Sequence, residues 1–150
     1  MPNWCYNRIT IYGDSETEAK LKEIEAIFEK ENPLNQIYPI PDFKNIPNEK
    51  GELPILEVHK NDKGEVICET YNFPDGKNDD RWYHWCIENW GTKWDVSELD
   101  IEYDDEMLEL TFSTAWSPPE GIVEKLREKY PDLTCSWLYD EPGCQVAGYY

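Results

Sequence analysis

Apolar and polar residues alternate between Leu99 and Phe112, on both sides of a short turn at Asp105 and Glu106. An alternation with a period of two is typical of half-buried strands, so this segment predicts a hairpin of two antiparallel strands. One face of the hairpin is expected to join a core, and the other to present carboxylates to solvent. The carboxylates of this acidic ladder and its turn are Asp100, Glu102, Asp104, Asp105, Glu106 and Glu109.

The spacing of apolar residues predicts further strands and helices along the chain. Ser117 is expected to cap the last helix, with Pro118 at its first helical position. Residues 144–149 are expected to return as a short extra strand. The other predicted elements are a strand over 3–12, a helix over 14–30, a short aromatic helix over 79–90, a helix after Ser117 and a strand over 133–139.

The segment 34–78 differs from the rest of the chain because prolines and polar turn residues interrupt it repeatedly. We interpret it as a long insertion with little regular structure. Two stretches, 52–58 and 65–71, flank a polar turn at residues 61–64, which favours a short hairpin inside the insertion.

The order of these elements indicates the fold class. Without the insertion and its small helix, the order is strand, helix, strand, strand, helix, strand, as in a ferredoxin-like sandwich. We therefore predict an α+β fold, a ferredoxin-like sandwich (βαββαβ) with a long insertion after the first helix. A length of 150 residues fits one domain, so residues 1–150 are expected to form a single ferredoxin-like domain with 34–78 as a surface insertion.

The net charge restricts the partners that this chain can bind. Asp and Glu number 32 against 14 Lys and Arg, which gives a formal net charge of −18. Direct nucleic-acid binding needs clustered basic residues, and an anionic membrane surface repels such a chain, so neither is an expected partner. A basic protein is the expected partner. The sequence gives no indication of the oligomeric state.

The segment 1–5 lacks the basic and apolar regions of a signal peptide, and no apolar run is long enough to span a bilayer. A cytoplasmic location is therefore expected.

Residues that support metal or redox chemistry are scattered along the chain. Its five cysteines form no Cys-x-x-Cys pair, so neither a zinc ribbon nor a redox pair is indicated. His84 lies two positions from Cys86, and residues two apart on a helix do not face each other. We therefore predict no catalytic residues, no metal site, no cofactor and no enzymatic activity.

Three segments resemble one known family: Asn3–Arg8, Trp85–Asp95 with its Asn-Trp-Gly-Thr-Lys-Trp-Asp string, and Phe112–Pro119. Together with a Tyr-x-Glu-x-Gly-like end at Tyr139–Gly143, they resemble the YubB ferredoxin-like family. That family, which includes Api-type proteins, is carried by plasmids, phages and other mobile elements of bacteria. The resemblance implies a ferredoxin-like fold and a bacterial host cell. It implies no activity, because the family has no established biochemical function.

The acidic ladder is the first candidate site. Carboxylates that alternate along a strand repeat at roughly 6.7 Å. We hypothesise that this row imitates the phosphates of an extended nucleic-acid strand and occupies the groove of a nucleic-acid-binding host defence effector. A plainer interpretation is an acidic protein-interaction domain with a basic partner.

A tryptophan cluster is the second candidate site, because large aromatic side chains with polar handles suit the stacking of a base or another ring. This alternative predicts a small-molecule- or nucleotide-binding protein, or an uncharacterised enzyme. Packing of the same side chains in the core is the other interpretation. The residues of the possible ligand pocket are Trp85, Trp90, Lys93, Trp94 and Trp116.

Overall fold

A computed structural model describes residues 2–149 of the chain. The strands are β1 (Trp4–Tyr12), β2 (Ile55–Lys60), β3 (Val66–Asn72), β4 (Ser97–Asp104), β5 (Met107–Ala115), β6 (Thr134–Glu141) and β7 (Val146–Tyr149). The helices are α1 (Glu18–Phe28), α2 (Pro33–Ile37), α3 (Arg81–Asn89) and α4 (Glu120–Lys129), with a 3₁₀ turn at Phe43–Asn45. Within residues 2–149, no helix combines the length and apolar character needed to cross a membrane.

Five strands form one antiparallel sheet in the order β4-β5-β1-β6-β7. The central strand β1 pairs with β5 and with β6, so that Ile9 faces Leu110 on one side and Trp137 on the other. Helix α1 follows β1, and helix α4 joins β5 to β6. The predicted α+β ferredoxin-like fold is therefore confirmed. The expected extra strand is also present as β7.

The core lies on one face of this sheet. Alternate residues of β1, β5 and β6 pack there with the apolar stripes of α1 and α4, and Ile9, Leu21, Leu110 and Val123 are completely buried. The burial of such side chains is the main force that holds the two layers together. The opposite face of the sheet carries no helix of this core, and its β1 side chains Tyr6 and Tyr12 are about half exposed, at 49% and 48%.

The chain divides into two compact units. One contains the five-stranded sheet, and the other is Ile40–Trp85. The second unit contains the predicted hairpin, seen as β2 paired with β3, and both strands begin and end later in the chain than expected. Residues 34–37, expected to begin the irregular insertion, belong to helix α2 instead.

Arg81 organises the second unit. Its guanidinium lies 5.0 Å from the ring centre of Phe43 and 5.3 Å from that of Phe73. It donates two hydrogen bonds of 2.9 Å to the carboxylate of Asp79 and one of 2.7 Å to the carbonyl of Phe43. Asp79 is buried, and this arginine holds its pKa below the usual range. The Asp79–Arg81 pair therefore links Phe43 and Phe73, which belong to the segment 34–78 predicted to have little regular structure.

The predicted start of the last helix is wrong. Helix α4 begins at Glu120, its N-cap is Pro119, and no side chain caps it. Ser117 instead donates its hydroxyl hydrogen to the carbonyl of Gly91, and Pro118 precedes the helix. A cap was predicted because serine often precedes a helix, but here another loop takes up its hydroxyl group.

Candidate functional site: an acidic edge beside an open sheet face

The predicted acidic ladder lies at one edge of the five-stranded sheet, on β4 and the turn that follows it. Exposure alternates along β4, and its even-numbered residues from Glu98 to Asp104 are exposed. Glu109 on β5 is half-buried. The structure thus places the six predicted residues together, and we call them the acidic edge: Asp100, Glu102, Asp104, Asp105, Glu106 and Glu109.

Strand pairing and a tight turn fix the acidic edge. Asp100 faces Thr111, and Glu102 faces Glu109 directly across the β4–β5 pair. At the turn, the carboxylate of Asp104 accepts the backbone N–H of Glu106 at 3.0 Å. The backbone N–H of Gly13 donates to the carbonyl of Glu106 at 2.8 Å, which ties the turn to the end of β1. The row of charges is therefore held by backbone structure and is pre-organised.

The acidic edge is poorly neutralised within the chain. Glu109 has a cation nearby, since Arg8 Nε lies 3.9 Å from Glu109 Oε1. The other five carboxylates of the edge make no ion pair within residues 2–149. Like charges that face each other across two strands, as Glu102 and Glu109 do, destabilise the pairing. The carboxylates of the acidic edge therefore repel one another, and a bound cationic group would reduce this repulsion.

Beside the acidic edge lies an exposed face of the same sheet, which the sequence analysis did not single out as a candidate site. Its centre carries large side chains from β1 and β6 that are 41% to 49% exposed, and we call it the open face: Trp4, Tyr6, Tyr12 and Leu138. Arg8 lies on β1 within this face, opposite Thr111 of β5 on one side and Leu138 of β6 on the other. The signal was present in the sequence as the second parity of β1, but aromatic residues occupy either face of a strand.

The tryptophan cluster is divided between the core and the surface. Trp90 is 2% exposed, and its indole N–H donates to the carbonyl of Tyr38 at 2.8 Å. Trp94 and Trp116 are 41% and 47% exposed. Lys93 Nζ lies 4.1 Å from the ring centre of Trp94, so that one aromatic face already has a cation against it.

Trp85 belongs to the second unit and is half-buried. For Trp90 the core interpretation holds. A ligand pocket formed by the exposed tryptophans remains a prediction.

The family-like segments hold one another in the fold. The Thr92 hydroxyl donates to the carbonyl of Ala115 at 3.0 Å, and both residues are buried. The backbone N–H of Trp116 donates to the carbonyl of Asn3 at 2.8 Å. In the core, the side-chain amide of Asn7 donates to the Thr114 hydroxyl at 2.9 Å. These contacts give the residues of the family-like segments a structural role that requires no ligand.

Asp95, the last residue of the second family-like segment, also makes structural hydrogen bonds. Its carboxylate accepts the backbone N–H groups of Leu34 and Asn35, at 3.0 and 3.1 Å, and also that of Val96 at 2.9 Å. Burial raises the pKa of this carboxyl group, and the three N–H donors oppose that rise. Asp95 thus anchors the start of α2, and its carboxylate oxygens are engaged in hydrogen bonds within the fold.

Two of the cysteines, Cys5 and Cys86, are buried. Burial raises the pKa of Cys5 and of Cys86 to about 11, which keeps both thiols protonated and poorly nucleophilic near neutral pH. In the part of the chain that the structure describes, no three His, Cys, Asp or Glu side chains are grouped to hold a metal ion.

The second unit contains a cavity of about 470 Å³ beside Arg81. Basic and acidic side chains line it in equal number, so its charge selects no single class of ligand. These charged residues are Glu49, Lys50, Asp75, Lys77, Asp80 and Arg81.

Two comparisons with known proteins found a similarity. Residues 89–150 match the family model described as a ferredoxin-like domain in Api92-like protein. The crystal structure of protein api92 from Yersinia pseudotuberculosis resembles the fold with a TM-score of 0.52 at 12% sequence identity, covering 99% of this chain and 93% of that one. No curated protein matches the sequence. The Api-type resemblance is confirmed, and the family is one of unknown function.

Proposed function

We propose that this chain, whose C-terminal part is Api92-like, is a protein-interaction module that binds a basic partner through the acidic edge. The observation that carries the proposal is the row of exposed carboxylates on β4, which have no ion-pair partner in residues 2–149. Glu102 faces Glu109 at the cost of folding stability, and the fold holds both in place. A basic surface would turn this cost into attraction.

The open face supplies the second part of the proposed interface. Protein interfaces combine an apolar, aromatic-rich centre with a polar rim. Tyr6, Tyr12 and Leu138 provide exposed apolar area on β1 and β6, and the acidic edge borders it on β4. The net charge of −18 adds long-range attraction that speeds encounter with a basic partner.

The partner class that we propose is a nucleic-acid-binding protein, such as a host defence effector met by a mobile element of bacteria. A groove that binds nucleic acid is lined by lysine and arginine. Carboxylates at roughly 6.7 Å intervals along β4 offer such a groove a regular row of negative charges. In this proposal the protein acts by occupying the groove and carries out no catalysis.

The test is capture of partners from bacterial lysate on the immobilised protein, followed by mass spectrometry. The variant Asp100→Lys, Glu102→Lys, Glu109→Lys reverses three charges of the acidic edge without touching buried apolar residues. We expect the wild type to retain a nucleic-acid-binding protein at about 50 mM NaCl and to release it at about 500 mM, because salt screens the attraction. The variant should retain none.

A matched control separates the acidic edge from net charge alone. The variant Glu29→Lys, Glu31→Lys, Glu124→Lys makes the same change in charge at exposed positions outside the sheet. It should keep the partner captured by the wild type. Equal capture by the wild type and the acidic-edge variant would overturn the proposal, as would loss of the partner in both variants.

The exposed tryptophans favour one second candidate function. Trp94 presents aromatic surface against Lys93, and Trp116 is a second exposed indole, so that either ring is accessible for stacking of a nucleotide or another small ring. Such binding would fall on substitution of Trp94 and Trp116 by alanine and would be insensitive to the acidic-edge variant. A screen by tryptophan fluorescence with nucleotides distinguishes the two functions.

A further inference from the structure

The hairpin of the second unit exposes several large apolar side chains. Every residue of β2 is exposed, including Ile55 at 60%, Leu56 at 44% and Val58 at 44%. On β3, Val66 and Ile67 are 56% and 66% exposed. A two-stranded sheet is marginally stable by itself, and exposed apolar side chains on both of its faces favour association with another chain.

The outer edge of β2 is open. In the described part of the chain β2 pairs with β3 alone, and no other backbone hydrogen bond reaches residues 55–60. The outer edge of β3 is partly covered, because Asn72 bridges to Asn78 and the N–H of Asp79 donates to the carbonyl of Tyr71 at 2.8 Å. An open edge with apolar side chains is a template for another strand.

We propose that the occupant of this edge is a second copy of the chain, whose β2 pairs antiparallel with the first about a twofold axis at Val58. In that register Val58 faces Val58 of the second copy. Glu57 then faces His59 of the second copy, and the reciprocal pair forms on the other side of the axis. A twofold interface between identical surfaces is the commonest form of protein oligomer.

Avoidance of a like-charge contact favours this register over one centred on Glu57. Centring the axis on Glu57 would place two carboxylates directly opposite each other, which is destabilising. Centring it on Val58 places the Glu57 carboxylate opposite His59, whose Nε2 lies 3.1 Å from Thr70 Oγ1 and whose other ring nitrogen is left for the carboxylate. It also pairs Leu56 with the long aliphatic stem of Lys60. The irregularity between His59 and Lys60 leaves Ile67 unpaired on β3, so β2 itself remains regular. The four-stranded sheet formed in this way covers both open edges.

Salt distinguishes this interface from the proposed basic partner. Two chains of net charge −18 repel each other, so screening should strengthen the dimer. The complex with a basic partner should weaken under the same change. The two interfaces also use different residues, so either proposal can fail without the other.

The test is analytical ultracentrifugation of the full chain from micromolar to near-millimolar concentration, at about 50 mM and about 500 mM NaCl. We expect a dimer that grows with concentration and with salt. Val58→Glu places like charges on the axis and should weaken the dimer by at least about tenfold. Val66→Glu makes the same substitution at an exposed position on β3 and should leave the dimer intact.

A charge exchange tests the register. Glu57→Lys alone should weaken the dimer, and Glu57→Lys with His59→Glu should restore it, because a lysine then faces a glutamate. Circular dichroism checks that each exposed substitution preserves the fold. A wild type that stays monomeric throughout would overturn the proposal. Failure of the double variant to recover, or loss of the dimer in Val66→Glu but not in Val58→Glu, would also overturn it.

Discussion

Single side chains explain why two segments that look irregular in the sequence are ordered. Asp95 receives three backbone N–H groups, two of them from the start of α2. Asp79 receives the guanidinium of Arg81 in the second unit. In both cases one carboxylate satisfies several partly buried donors, and leaving such a donor without an acceptor is costly. Their removal should therefore affect stability more than removal of any carboxylate on the acidic edge.

The first prediction concerns Asp95. Asp95→Ala removes the acceptor for the N–H groups of Leu34 and Asn35, and it should lower the free energy of unfolding by about 1–3 kcal/mol. Asp100→Ala, on the exposed side of β4, is the control and should leave that free energy nearly unchanged. Urea denaturation of both variants provides the measurement. Equal effects of the two variants would contradict the anchoring role of Asp95.

The second prediction concerns Asp79 and pH. Asp79→Asn should destabilise the second unit by about 2–4 kcal/mol at neutral pH, because it removes the charged partner of the Arg81 guanidinium. The Asp79 pKa is lowered in the folded state by its hydrogen bonds with Arg81. The stability it provides is therefore fully present above the ordinary aspartate value of 3.8, and is lost as the pH falls through the lower folded value.

Hydrogen exchange of the β2 and β3 amides measures this effect. The difference between wild type and Asp79→Asn should disappear as the pH falls below 3.8. Asp80→Asn is the neighbouring control, since the Asp80 side chain is 70% exposed, and it should change exchange little. Protection in Asp79→Asn equal to that of the wild type at neutral pH would show that the pair with Arg81 contributes nothing.

At the scale of elements, the β4–β5 hairpin carries carboxylates that reduce folding stability and that we propose bind a basic partner. The third prediction is that Glu102→Lys stabilises the fold by about 0.2–1 kcal/mol, because a lysine then faces Glu109. Asp100→Lys faces Thr111 and serves as the control, with a smaller gain. Thermal unfolding at low salt tests this. Destabilisation by Glu102→Lys would show that the two glutamates do not repel each other in the fold.

The sequence predicted elements best where a residue's polarity decides its position. Alternation of Asp100, Ile101 and Glu102 located β4 and its exposed face correctly. Polarity failed for Trp90 and Trp94, since tryptophan suits either environment and only the fold placed one in the core. It failed also at Ser117, whose hydroxyl serves a distant carbonyl and not the helix that follows. Long-range hydrogen bonds of this kind leave no local signal.

At the scale of the whole molecule, repulsion between carboxylates opposes folding. The ion pairs on the helices and at their ends, such as Lys22–Glu18 and Lys129–Glu23, are largely exposed, and such pairs contribute little. A net charge of −18 favours the expanded chain, in which the charges lie farther apart. Net repulsion should therefore outweigh the loss of surface ion pairs when salt is added.

The fourth prediction follows from this balance. The melting temperature should rise between about 10 mM and about 150 mM NaCl, as the screening length falls from about 30 Å to about 8 Å. Choline chloride should act equally, because screening depends on ionic strength and not on sodium. The variant Asp100→Lys, Glu102→Lys, Glu109→Lys is less acidic and should respond less. A melting temperature that stays constant or falls with salt would show that attractive pairs dominate the surface, and the acidic edge would then lose the electrostatic strain on which its proposed binding role depends.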